Sequence, residues 1–424
     1  MFGFVLVVGF FVLIFIGVPI ACAIGLVSVS YFVIQGDMSF VTIMASKMFS
    51  GINSFELLAI PLFILAGDLL YAGKISQTLV NLAGAFVGQI RGGMAMVTTV
   101  ACALFGAVSG SGPATTAAIG AVVAEPLEKQ GYPRSFSAAT IAASGPLGIL
   151  IPPSVLMVIF GCTTGTPIGK LLMAGIGPGL LYALLMCIYQ YFICKKKNWG
   201  TVSRFSVKKI AKAFREAILA LLVPVIILGG IYSGIFTPTE AAAVAVAYAL
   251  VIGLFVYRSI SVKTLPSILK GSAITMASVM FITGNISFFG YILTRERIPE
   301  TLAALALRTV GSATGFMVIT CLILFVAGMI EAGSSCILLL APLLFPISQA
   351  FGIDPVYYGA IFVADLAIGM ITPPVAATLY VAQRICKIDI SRVVGQLLPY
   401  MAVQSIGLAL CILFPQIVMF LPNL

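Results

Sequence analysis

The stretch SGSGPATTAAIG, Ser109 to Gly120, lies in a segment with no charged residue between Arg91 and Glu125. The 33 uncharged residues from 92 to 124 are too many for one membrane span of roughly 20 residues and too few for two full spans with a turn between them. Two half-helices meeting inside the membrane fit better. Ser109, Gly110, Ser111 and Gly112 suit the end of one half-helix and the cap of the next, and Pro113 suits the first helical position, where a missing N–H costs nothing. Non-helical backbone at membrane depth persists only where protein buries it or where it lines a polar cavity. The tip of such a re-entrant hairpin is therefore a candidate site, with a small-residue helix seam as the structural alternative.

The whole composition agrees with a membrane setting. The chain has 424 residues, 61% hydrophobic and only 8% charged, and a mean hydropathy of +1.17, which together exclude an ordinary soluble domain. The apolar run from Phe2 to Ile16 has no basic residue ahead of it, so it reads as a retained first span. Nine cysteines are scattered without metal-ligand spacing, and histidine is absent. Zinc, serine-type and aspartyl intramembrane proteolysis are thereby disfavoured, and no enzyme is expected.

Apolar runs place spans near 2–18, 19–35 and 54–73, a hairpin near 92–128, and spans near 135–165, 171–194, 217–235, 238–257 and 266–293. A second hairpin near 312–350 and spans near 355–383 and 394–420 follow. With the N-terminus outside, 18 of the 23 basic residues fall on one side, leaving Lys47, Lys170, Arg295, Arg297 and Arg308 on the other. That bias makes the side bearing Lys195 to Arg215 cytoplasmic and both termini periplasmic. The basic segment 195–216, which includes Arg204, shares its side with Lys74 and has Phe205, Ile210 and Phe214 interleaved, reads as a cytoplasmic linker with a short helix on the membrane surface.

The linker separates two copies of one pattern. Gly131, Gly148, Pro152, Pro153 and Pro178 recur as Gly352, Gly369, Pro373, Pro374 and Pro399, each pair 221 residues apart, as 373 is from 152. The expected units are 1–194 and 217–424, each with five spans and one hairpin. An odd number of crossings inserts the second copy upside down. The expected fold is thus an all-α polytopic membrane protein built of inverted repeats, each with a re-entrant helical hairpin and a broken transmembrane helix. The second hairpin tip would be EAGSS, residues 331–335. After each hairpin comes a segment broken by a proline pair, SGPLGILIPPS and AIGMITPPVA, so two tips and two breaks are expected to converge.

Helix ends offer N–H groups suited to a carboxylate and carbonyls suited to a small hard cation. One cation site is expected at Ser109, Gly110 and Ser111 with Gly145, Pro146 and Gly148, and its twin at Gly333, Ser335, Gly369, Met370 and Thr372 with Asp365. Substrate contacts are expected at Ser111, Gly112, Pro113, Thr115, Ser154, Ser334 and Thr372. Asp68 and Glu331 are expected nearer a surface, and Glu240, in TPTEAAA, at the first turn of a helix.

At NSFELLAIPLFILAGDLL, FGAVSGSGPATTAAIG, GYPRSFSAATIAASGPLGILIPPS, TPTEAAAVAVAYA and IGMITPPVAATLY the chain resembles the large membrane (M) subunit of TRAP transporters, the tripartite ATP-independent periplasmic family. The resemblance implies sodium-coupled uptake of an organic acid, such as a C4-dicarboxylate or a sialic acid, and an elevator-type mechanism within a broad ion-transporter superfamily. It also implies at least two Na+ sites, a small four-helix membrane (Q) subunit, a periplasmic substrate-binding (P) protein and a location in the bacterial inner membrane. The chain departs from the family pattern at Asp365, where an uncharged amide is expected, and at Ala376, where glycine often follows the proline pair. A channel or an exporter without a binding protein, on the same inverted repeat, is the alternative.

Overall fold

A backbone in lipid has no water to bond, so its N–H and C=O groups must be satisfied within helices or inside the protein. The computed structural model describes residues 9–10, 12–13, 16–36, 39–71, 75–202 and 206–424. The span expected near 2–18 lies mostly outside the described residues, as do Lys74, Arg204 and Phe205. Among the described residues, seven helices are long and apolar enough to cross a bilayer. Two bent pairs, Phe40–Ile52 with Glu56–Tyr71 (65°) and Arg134–Leu150 with Val155–Thr164 (43°), bring that number to nine.

The first half comprises α1 (Ile20–Ile34), α2 (Phe40–Ile52), α3 (Ala59–Tyr71), α4 (Ile75–Val87) and the hairpin arms α5 (Gly93–Ser109) and α6 (Gly112–Lys129). Its broken helix is α7 (Arg134–Ser144) and α8 (Val155–Thr164), joined through a single turn at Leu147–Leu150, and α9 (Ile168–Lys197) closes the half. The second half repeats this order: α10 (Val207–Tyr232), α11 (Pro238–Val251), α12 (Leu265–Arg295), α13 (Ile298–Val310), arms α14 (Ala313–Ile330) and α15 (Gly333–Ala350), broken helix α16 (Pro355–Gly369) and α17 (Ala377–Cys386), then α18 (Ile390–Leu413). Gly131 and Gly352, which turn the chain after each hairpin, both hold a positive φ (80° and 70°), so glycine recurs there for a conformational reason.

Three helices were not anticipated. Residues 40–52 form a helix bent against the span that follows, and 13-residue helices α4 and α13 precede the two hairpins. All three carry polar residues among the apolar ones and are shorter than a span, so a search for long uncharged runs passes over them. The basic linker also differs from expectation. Val207 to Tyr232 is one continuous helix, so Lys208, Lys209, Lys212 and Arg215 occupy its opening turns instead of a separate surface helix. Glu240 stands as expected, in a capping box with Thr237 at the start of α11.

The contacts show the two halves inverted and interlocked. The first broken helix starts at the base of its own hairpin, where Arg134 pairs with Glu128. It ends at the base of the other, where Phe160 meets Phe345 and Tyr358 with ring centroids 6.0 and 6.3 Å apart. The second broken helix runs the reverse course, and its end, Ile385 to Lys387, lies against Ala121, Glu125 and Glu128 of the first hairpin. The hairpin bases therefore sit at opposite ends of the molecule and their tips meet between them. Long apolar side chains on α10, α12 and α14 remain exposed, including Val225, Ile274 and Leu322. Lipid tails are as apolar as these side chains, so the core is held by close packing and internal hydrogen bonds.

Candidate functional site at the hairpin tips

The first tip is built by local chemistry. Gly110 ends α5 in the left-handed conformation (φ 65°), and Ser111 caps α6 by accepting from the Ala114 N–H at 3.5 Å. Because α6 begins at Gly112, Pro113 occupies the second helical position rather than the first, and its missing N–H is still harmless there. Each tip is tied to its own break. The Val155 N–H donates to the Gly110 carbonyl at 3.3 Å, and the Val375 N–H donates to the Met329 carbonyl at 3.0 Å. Each tip also touches the other half: Gly112 faces Met370, and Gly333 faces Leu156.

Between them lies a cavity of about 290 Å³. Both tips line it, through Ser109 to Ala114 and Ala332 to Ser334, together with Met370, Leu156 and the wall residues Asp68, Thr275 and Val279. Of the expected substrate residues, Ser111, Gly112, Pro113 and Ser334 face this space. Thr115, Ser154 and Thr372 lie buried behind it. Ser154 spends its hydroxyl on the chain break, donating to the Ile149 carbonyl and accepting from the Met157 N–H. Asp68, expected nearer a surface, is among the described residues the one charged member of the lining and accepts from Ser272 of α12. That contact joins residues 204 apart in the chain, and no local pattern announces it.

Residues 7–417 match the family model described as the tripartite ATP-independent periplasmic transporter, DctM component. The chain belongs to this DctM family. The C4-dicarboxylate TRAP transporter large permease protein DctM of Pseudomonas aeruginosa is 39% identical over 90% of this chain and 89% of its own length. The isethionate TRAP transporter permease protein DctMQ of Oleidesulfovibrio alaskensis is 40% identical over 97% of this chain and 65% of its own length. In fold the chain is similar to the crystal structure of the Alcanivorax borkumensis YdaH transporter, with a TM-score of 0.56 over 88% of this chain and 86% of that one, at 18% identity. The permease is thus a multi-pass membrane transport protein of the inner membrane and not an enzyme.

Beside the cavity the permease holds an oxygen-lined cradle. Ser109 Oγ and Thr115 Oγ1 share a hydrogen bond at 2.9 Å. A Cβ built on Gly148 would stand 2.3 Å from Thr115 Oγ1 and 2.8 Å from the Ser111 carbonyl oxygen, so only glycine leaves that space open. Gly145 is pressed in the same way against Thr116 Oγ1, while Pro146 lies only in ordinary contact with Gly112. Two hydroxyls and a carbonyl converging without a basic side chain are a donor set suited to a small hard cation. The second tip is arranged differently. Gly369 packs on Gly328, where a Cβ would come within 2.7 Å of the Gly328 Cα. Thr372 donates its hydroxyl to the Ile368 carbonyl at 2.8 Å, and the Met370 carbonyl accepts from Thr378 Oγ1 at 3.0 Å. Gly333 lines the cavity, whereas Ser335 is buried in the first turn of α15. Ala376 occupies a positive φ of 36°, which accounts for the glycine expected after this proline pair. Asp365 does not reach the cavity and is 2% exposed inside the α16 packing.

Proposed function

We propose that the permease takes up an organic anion by coupling its entry to sodium, with a smaller membrane subunit and a periplasmic binding protein completing the machine. One observation carries this reading: both hairpin tips and Met370 of the second break border one cavity whose lining, among the described residues, contains no Lys or Arg. A carboxylate there meets helix N-termini, whose partial charges fall short of a full positive charge. Sodium in the adjoining cradle of Ser109, Ser111, Thr115 and Gly148 supplies the rest. At the second tip Gly333, Met370 and Thr372 are the residues that would hold its counterpart. The names of the two relatives, one for C4-dicarboxylate and one for isethionate, support an anionic substrate.

Both tips then move together as a loaded unit past the arms formed by α1 to α3 and α10 to α12, an elevator-type motion. The Lys195 to Arg215 side is cytoplasmic and both termini are periplasmic, following the distribution of basic residues. Coupling is reciprocal, so sodium raises anion affinity by the factor by which the anion raises sodium affinity. In proteoliposomes containing the partner subunits, uptake is expected to require an inward sodium gradient and no ATP. Equal uptake with potassium in place of sodium, at matched membrane potential and pH gradient, would reject the reading in favour of a passive channel or another coupling ion.

A further inference from the structure

The end of the second broken helix borders a hollow that takes no part in the coupling proposed above. Arg134 from the start of α7, Arg384 and Lys387 from the end of α17, and Arg392 from the first turn of α18 line one cavity of about 490 Å³. It shares no lining residue with the cavity at the tips and lies where elements of both halves meet, at the base of the first hairpin. Four cations around one space repel one another, and only two carboxylates answer them. Glu128 pairs with Arg134. Asp389, the N-cap of α18, lines the cavity but joins none of the ion pairs among the described residues. Positive charge is left in excess, facing an open space.

A membrane protein gathers basic residues on one face in any case, so their number alone decides nothing. Two particulars set this hollow apart. The larger hollow between α4, α6 and α10 also holds three lysines, but Glu125 and Glu216 stand on Lys129 and Lys212 at 2.6 and 4.0 Å. Arg384, Lys387 and Arg392 have no such partners among the described residues. The second particular is in the backbone. Each broken helix ends in a residue of positive φ, Gly165 (71°) in the first half and Lys387 (51°) in the second. Glycine adopts that conformation freely and lysine does not. A strained lysine therefore stands where the fold alone calls for glycine, and strain of this kind gathers at sites that use the side chain.

Ser135 and Gln383 add neutral donors, and Ile388 is the one apolar residue of the lining among the described residues, so the hollow offers little surface to a ring or an acyl chain. It suits a compact oxyanion. Guanidinium groups present planar forks that match phosphate oxygens in pairs, and an ammonium adds a point charge. We propose that Arg134, Arg384, Lys387 and Arg392 form a binding site for a phosphate group, carried by a phospholipid headgroup or by free phosphate. A phosphate held there draws α7 of one half to α17 and α18 of the other. The site does not depend on sodium coupling, so binding and not uptake is its test.

Two probes on the purified full-length permease distinguish the sources. In phosphatidylcholine nanodiscs doped with phosphatidylglycerol, native mass spectrometry counts the anionic lipid that stays on the permease. In undoped nanodiscs, equilibrium dialysis measures the binding of labelled inorganic phosphate. At least one probe is expected to bind saturably, and the double variant R384Q/R392Q to weaken it by about tenfold or more. K209Q/K212Q, which removes two charges from the other hollow, is expected to change it by less than about twofold. K387G is a variant that misfolding does not confound: glycine suits the positive φ, so it is expected to unfold no earlier than the parent while binding the same probe about tenfold more weakly. Retention of phosphatidylglycerol alone would support a headgroup site, and binding of inorganic phosphate a site for free phosphate. Saturable binding of neither probe, an equal loss in K209Q/K212Q, or unchanged binding in R384Q/R392Q or K387G would overturn the proposal.

Discussion

The two hairpin tips occupy equivalent places in the repeat, yet they meet their broken helices through different chemistry. At the first tip Ser109, Thr115 and the Ser111 carbonyl surround the Cα of Gly148, so the glycine there keeps space open for oxygen. At the second, Gly369 meets Gly328 backbone to backbone, and Thr372 turns its hydroxyl back to its own helix. Both halves make a close arm-to-break crossing, Gly106 on Gly148 and Gly328 on Gly369, but the glycine of the first break also leaves a polar cradle open where that of the second faces only the arm. Inverted repeats fix where the tips meet, while individual side chains decide what each tip binds.

The sharpest way to break this comparison is to add one methyl group to each half. G148A places a Cβ inside the cradle and is expected to reduce sodium-driven uptake by about 100-fold, with a smaller fall in thermal stability. G369A overpacks the α14–α16 crossing at a cost of about 1 to 3 kcal/mol, and here the fall in unfolding temperature is expected to exceed that of G148A. Uptake and thermal unfolding measured on both variants test the distinction. Identical behaviour would mean that the two glycines serve one purpose.

Next in size is the removal of single hydroxyls. T115A takes an oxygen from the cradle, a loss of roughly 1.5 kcal/mol, so the sodium concentration for half-maximal uptake should rise about tenfold. T372A removes a hydroxyl already bonded to Ile368, and a rise below about threefold is expected. Sodium titration of uptake would show the order, and a larger shift in T372A would reverse the assignment of the stronger site.

Asp68 extends the contrast to the cavity wall. D68N keeps an acceptor for Ser272 and removes the one negative charge of the lining, so anion half-saturation should fall by roughly threefold, the worth of about 0.6 kcal/mol. A weaker anion affinity in D68N would show that the carboxylate recruits a cation of its own.

The parts of this arrangement that can be read along the chain are those encoded by neighbours. SGSGP carries its turn, its cap and its proline within five residues, and PPS and PPV mark the breaks. The 221-residue spacing then pairs the halves. What escaped is non-local or short. The Asp68–Ser272 contact bridges distant helices, and α2, α4 and α13, at 13 residues each, fall below the length of a span. Asp365 was legible as an intramembrane charge but not as one turned away from the cavity, because side-chain direction depends on which helices pack around it.

The smallest expected effect concerns how α1 and α11, which follow Pro19 and Thr237, begin. In the first half α1 follows Pro19 with no side chain capping its N–H groups. In the second, α11 opens with Thr237 accepting from the Glu240 N–H at 3.3 Å, while the Glu240 carboxylate accepts from the Thr237 N–H at 2.8 Å. This reciprocal pair satisfies two N–H groups that water satisfies only outside the membrane. T237A removes one of them and, on the scale of helix caps, costs about 1 kcal/mol. Because α11 packs against α3 and Thr239 donates to the Phe55 carbonyl, the loss should appear as a lower unfolding temperature with sodium dependence unchanged. A change in sodium half-saturation in T237A would tie this arm to the tips and undo the proposed separation between a fixed frame and a moving core.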